Sequence, residues 1–136
     1  FHSLLITIDK KNDKKLYEYI SIAIRNHNLN IDVYSNVNYK DMQDLYNISD
    51  TLIWPSLTES FGMPIIEAFN AGLSIIASRL EYIDDLLDDV YLFNPYNAED
   101  IAKNVIICLS DIQAKRAKNP KLKFSIPQTK DFVESL

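Results

Sequence analysis

Two glutamates, Glu59 and Glu67, enclose the run Ser60-Phe61-Gly62-Met63-Pro64-Ile65-Ile66. An apolar stretch, Leu52-Ile53-Trp54, stops just ahead of them at Pro55. Strand, polar turn and helix start follow in that order, and in a parallel sheet this is where phosphorylated ligands sit. Pro64 has a fixed φ and no amide donor, so it suits the first position of a helix. The amides of Gly62, Met63 and Ile65 then lie near the positive end of that helix. Gly62 lacks a Cβ, so backbone can approach a ligand closely there. A diphosphate fits such a place. Glu67 lies about one turn into the helix. A carboxylate there repels a phosphate but accepts two hydrogen bonds from a vicinal diol such as a ribose. Glu59, before the turn, is placed to receive sugar hydroxyls or to stabilise developing positive charge.

A plainer account uses the same residues. An acidic side chain in a first turn stabilises the helix dipole by about 0.3–1 kcal/mol with no ligand present. Phe61, Met63, Ile65 and Ile66 can all be core. Residue types and spacing alone leave both accounts open.

Short apolar runs and amphipathic stretches alternate around this segment. Leu4 to Ile8 reads as a buried strand, and Leu16, Tyr19, Ile20, Ala23 and Ile24 follow at helical spacing. Ile31–Tyr34 is the next strand, and Lys40–Tyr46 a short helix with Met42, Leu45 and Tyr46 on one side. Thr51–Trp54 and Ser74–Ala77 are strands, joined by a helix from about Pro64 to Ala71 that Gly72 stops. Ile83–Leu87 is a weak helix and Val90–Phe93 a weak strand. Ala98–Leu109 is a helix, with Asn97 as N-cap and Asp100 in its first turn. Strands and helices alternating at these lengths predict an α/β fold, a parallel sheet covered on both faces by right-handed crossovers.

At 136 residues and 47% apolar, the chain is long enough for one domain with a real core. A net charge of −5 argues against nonspecific nucleic-acid binding. The basic clusters Lys10–Lys15 and Lys115–Lys123 read as solvated surface, the second with a conceivable peripheral contact to an anionic membrane. The single Cys108 excludes an internal disulfide, fits a reducing compartment and reads as a small buried hydrophobe. His2 and His27 are isolated, so no metal-ligand spacing is present. Two glycines cannot supply a Gly-rich dinucleotide loop or a P-loop. No apolar run reaches transmembrane length.

The stretch PSLTESFGMPIIEAFNAGLSIIAS resembles the signature of the group-1 glycosyltransferases, a retaining family with the GT-B fold. Tyr39 to Asp50, Pro95 to Leu109, and Phe124-Ser125 with a last short helix resemble it more loosely. The resemblance implies a Rossmann-like C-terminal domain that binds a nucleotide-diphosphate sugar, without a cofactor or a required metal. It implies transfer of the sugar to an acceptor hydroxyl on a glycan or lipid-linked glycan, as in polysaccharide synthesis. Glu67 would bind the ribose hydroxyls. Phe61, Gly62 and Met63 would face the donor sugar and distal phosphate, with Ser60 and Pro64 beside them. Glu59 would act near the reacting carbon, as the catalytic residue. The turn Ser35–Val37, Val37 included, would flank the base.

The same resemblance reads the chain as a single nucleotide-sugar-binding domain, 1–136, that lacks the N-terminal acceptor domain and the family's first strand with its phosphate-binding cations. Otherwise Lys10 or Lys11 stands in for those cations. A second departure follows the Ser74–Ala77 strand, where Ser78-Arg79-Leu80-Glu81-Tyr82 replaces a Gly-Gly stretch and Asp85 lies near the family's acidic position. Arg79 reads as a surface cation, with a phosphate contact as the alternative. A cytoplasmic setting is expected, with the inner face of the membrane as one place within it. The alternatives are another GT-B enzyme, such as a nucleotide-sugar 2-epimerase, or a non-catalytic Rossmann-like binding module.

Overall fold

A computed structural model of the chain describes residues 2–58 and 61–123. The chain divides into two compact units, Phe1–Asp44 and Leu45–Leu136. In the first, β1 (Leu4–Thr7), α1 (Lys14–His27) and β2 (Ile31–Tyr34) form a strand-helix-strand unit. The two strands pair in parallel, Leu4 opposite Ile31 through Thr7 opposite Tyr34. Asn28 ends α1 at φ 49°, a left-handed conformation that asparagine tolerates. A further helix, α2 (Tyr39–Asn47), runs across the division. Asn38 caps it, its Oδ1 accepting the Asp41 amide at 2.9 Å.

The second unit is layered. Three strands, β3 (Thr51–Trp54), β4 (Ser74–Ser78) and β6 (Tyr91–Phe93), lie in the order β3-β4-β6, all parallel. All five residues of the central β4 are buried. The two-residue alternation of strands then sorts its side chains between two cores. Ile75 and Ala77, with Leu52 and Trp54, pack on one side against Ile65 of α3 (Met63–Asn70) and Ile83 and Leu86 of α4 (Glu81–Leu86). Ile76, with Ile53, Tyr91 and Phe93, packs against Ile101, Val105, Cys108 and Ile112 of α5 (Ala98–Gln113). A parallel sheet with helices on both faces is therefore present, and Cys108 is a fully buried small hydrophobe. Burial raises its thiol pKa above the ordinary range.

Both caps foreseen for these helices form. The Asn97 side chain accepts the Asp100 amide at 3.1 Å. Beyond α3, Gly72 takes φ 80°, its amide donating to Phe69 O and that of Leu73 to Ala68 O. That 5→2 and 6→1 pair is the Schellman arrangement, and it turns the chain straight into β4.

Two elements were not anticipated. β5 (Leu87–Asp88) pairs antiparallel with β7 (Lys121–Leu122). The basic segment leading into β7 is also not simply solvated. Lys118 donates through Nζ to Val90 O at 2.8 Å and sits 4.9 Å from the Tyr91 ring centroid. Arg116 binds Asp111 at 2.7 Å, which holds that carboxyl below its usual range. Lys123 bonds the Asp84 carbonyl and lies 3.2 Å from Asp88. These cations fasten the segment to α5, to α4 and β5, and to the start of β6. The helix expected after Phe124-Ser125 lies outside the described residues.

Candidate functional site

At the C-terminal end of β3 the chain leaves the sheet through Pro55, and the Ser56 hydroxyl donates to Thr58 O at 2.6 Å. Glu59 and Ser60, the expected catalytic residue and one expected donor contact, lie outside the described residues. Phe61 follows, then Gly62 at φ 60°, ψ 38°, capping α3. This left-handed conformation would cost roughly 1–2 kcal/mol with a side chain, so a glycine there is a backbone requirement. Gly62 O accepts the amides of Ile65 at 2.9 Å and Ile66 at 3.2 Å. The Ile65 amide, expected to face a ligand, is therefore already used. Pro64, the second residue of α3, has no amide, and those of Gly62 and Met63 donate to no described residue.

Glu67 falls in the second turn of α3, and no acidic residue lies in the first. The plain dipole account of Glu67 thereby loses its geometry. The half-buried carboxylate instead receives the Tyr46 hydroxyl, which donates to Oε2 at 3.1 Å. Burial first, then the hydrogen bond and negative charge of Glu67, push the Tyr46 phenol well above its ordinary pKa, so it stays a donor. Tyr46 lies on α2, 21 positions before its partner. In sequence Tyr46 falls on the apolar side of that helix, and its spacing carries no signal for the pairing.

The apolar residues of the motif divide. Ile65 is completely buried, as core. Phe61 and Met63 are 78% and 52% exposed, with the exposed Leu57 nearby in sequence. Side chains of that size left at a turn rim do not serve the core. Beyond β4, Arg79 and Asp85 are exposed, and the Arg79 amide donates to Phe93 O at 2.8 Å.

In the first unit, Val37 is half-buried in the turn after β2, and Asn36 beside it takes φ 56°. The Ser35 hydroxyl accepts the Lys10 amide at 3.2 Å, tying that turn to the loop after β1. Lys10, Lys11, Lys14, Tyr17, Glu18 and Asn36 line an open cavity of about 500 Å³. Lys10 is held 4.8 Å from the Tyr17 ring centroid. The turn expected to flank a base and the lysines considered as substitute cations thus meet within this unit.

Known proteins resemble this chain in sequence and in fold. The family model of the group 1 glycosyl transferases matches residues 4–122. The serotype-specific mannosyltransferase WbdA of Escherichia coli is 31% identical over 72 residues, 52% of this chain and 9% of that protein. The O-antigen chain mannosyltransferase B of Escherichia coli is 29% identical over 73 residues, 53% of this chain and 19% of that protein. The chain thus spans under a fifth of the length of these relatives. Among solved structures, Anabaena HepE in complex with UDP and glucose superposes with a TM-score of 0.70 at 19% identity, over 82% of this chain and 32% of that one. Sucrose-phosphate synthase from Thermosynechococcus elongatus superposes at 0.68 and 21% identity, over 85% and 31%. These likenesses bear out the α/β, Rossmann-like architecture of a GT-B half. With the family model covering most of its length, the chain belongs to the group 1 glycosyl transferases.

Proposed function

We propose that this chain is the donor-binding part of a retaining glycosyltransferase that moves a sugar from a nucleotide diphosphate to an acceptor hydroxyl on a glycan or lipid-linked glycan. The observation that carries the reading is Glu67, presented half-buried on α3 just behind the Gly62 turn. Family membership and a structural neighbour holding UDP and glucose support it. Glu67 accepts the ribose hydroxyls, and the Gly62 and Met63 amides meet the distal phosphate and sugar. Glu59, Ser60, Phe61 and Pro64 complete the sugar side, with Glu59 near the reacting carbon. The bond from that carbon to the diphosphate breaks, and one to the acceptor oxygen forms on the same face. The acceptor's proton leaves with the departing diphosphate. Positive charge develops on the sugar, so placement of charge does most of the work. No atom changes oxidation state in the transfer, so no electron carrier is invoked, and this reading includes no metal. No described helix is long and apolar enough to cross a membrane. A cytoplasmic site beside a membrane holding a lipid-linked acceptor belongs to this reading.

Titration of the chain with UDP, GDP and ADP tests it, with Glu67→Gln as control. Gln keeps a carbonyl for the Tyr46 hydroxyl while turning an amide donor towards the ligand. One nucleotide should bind, about tenfold more weakly to the variant. A folded chain that binds none of the three, or a variant that binds as well as the parent, overturns the reading.

A further inference from the structure

A carboxylate that must receive two neighbouring hydroxyls has to be held still. A glutamate side chain is long and has several rotamers, and ordering it on binding consumes affinity. Glu67 has a restraint already in place. Tyr46 is only 6% exposed, so its ring cannot swing away, and its hydroxyl occupies Oε2 at 3.1 Å. The phenol donates one proton, and a carboxylate oxygen can accept more than one bond. Tyr46 therefore fixes the rotation of the carboxylate, leaving Oε1 and the remaining lone pair of Oε2 for a ligand.

We propose that Tyr46 is a positioning residue, its hydroxyl orienting the Glu67 carboxylate to accept a vicinal diol and so to favour ribonucleotides over their 2′-deoxy counterparts. This rests on the donor-binding reading above and adds the residue that sets its sugar selectivity. Tyr46 does not touch the ligand; it acts through Glu67. The pairing is asymmetric in a useful way. Phenylalanine at position 46 keeps the buried ring and removes only the donor, so packing survives while orientation is lost.

The experiment uses the nucleoside diphosphate that the parent chain binds, together with its 2′-deoxy analogue. Parent, Tyr46→Phe, Glu67→Gln and the double variant are compared by calorimetric titration, with Tm recorded for each. Tyr46→Phe should bind the ribonucleotide roughly fivefold to tenfold more weakly, because the unrestrained Glu67 side chain must then be ordered on binding. Its preference for the ribonucleotide over the deoxy form should fall towards one, and the double variant should be no weaker than Glu67→Gln alone. A merely structural tyrosine would lower Tm and weaken both nucleotides alike, which overturns the inference. So would unchanged selectivity in Tyr46→Phe, or additive losses in the double variant. If the parent binds no nucleotide, the donor reading fails and this inference falls with it. If the parent binds and Glu67→Gln loses affinity while Tyr46→Phe does not, this inference alone fails.

Discussion

The two units carry the same kind of parallel strand pair and differ in what covers it. In the second, β4 lies between two strands and between two helix layers, and all its residues are buried. In the first, β1 and β2 form a two-stranded pair, α1 buries none of its residues, and Ile8 is the one buried residue described. Leu16, Tyr19 and Ile22 of α1 are 51%, 71% and 48% exposed. Hydrogen-bonded pairing alone does not make a core. Layers on both faces do, because only they remove apolar area from water. The Gly62 turn and Glu67 stand on the layered unit, where rigid surroundings can hold a carboxylate in place.

Four measurements sharpen or break this contrast. Trp54, the chain's single tryptophan, lies in the second unit and reports its unfolding by fluorescence. Ile76→Ala empties a fully buried position of the central strand and should cost about 2–5 kcal/mol in urea titration. Leu16→Ala, on the exposed face of α1, should cost no more than about 0.5 kcal/mol when unfolding is followed by far-UV circular dichroism, which also reports the first unit; equal losses would dissolve the contrast. Glu67→Ala should come next. It leaves the buried Tyr46 hydroxyl without its acceptor and should cost about 1–3 kcal/mol, whereas Glu67→Gln should cost clearly less. Stability and ligand binding therefore cannot be separated with the alanine variant, and the glutamine variant is the cleaner probe. Asn97→Ala, which removes the side-chain cap of α5, should cost about 1 kcal/mol.

The smallest effect concerns alkaline pH. Tyr46 and Tyr91 both have folded-state pKa values raised, chiefly by burial, above the ordinary 10.0. Above pH 10 the unfolded chain gives up these protons first, so the unfolded state binds fewer of them. The stability they contribute is complete below that pH and declines as pH rises beyond it. Tyr46→Phe should flatten the alkaline slope of the Trp54-monitored transition. An unaltered slope would show that Tyr46 is more open than its packing indicates.

Hydrophobic periodicity was a sound guide to where strands form but not always to burial: the strand expected to be buried from Leu4 to Ile8 ends at Thr7, with Leu4 and Thr7 exposed. Thr51–Trp54 and Ile31–Tyr34 form the strands expected of them, and Ser74–Ala77 extends by one residue to Ser78. α5 runs one turn beyond Leu109 because Ile112 still reaches the core. β5 and β7 escaped notice because two residues have no period. The roles of Lys118 and Lys123 escaped because a cation's partner is chosen by tertiary proximity, here to Val90 and Asp84, some thirty to forty positions away. Phe61 and Met63 looked equally suited to a core or a ligand rim, and only exposure separated them from Ile65.

By itself the sequence determined the order of strands and helices, the Gly62 turn, the caps at Gly72 and Asn97, and the family to which the chain is similar. Each of these is local: a backbone angle, a side chain reaching three residues, or a periodic apolar face. The tertiary structure alone decided that Tyr46 meets Glu67 and that one unit buries its sheet on both faces. Those outcomes depend on which surfaces come together in space, and residue spacing along the chain does not encode that distance.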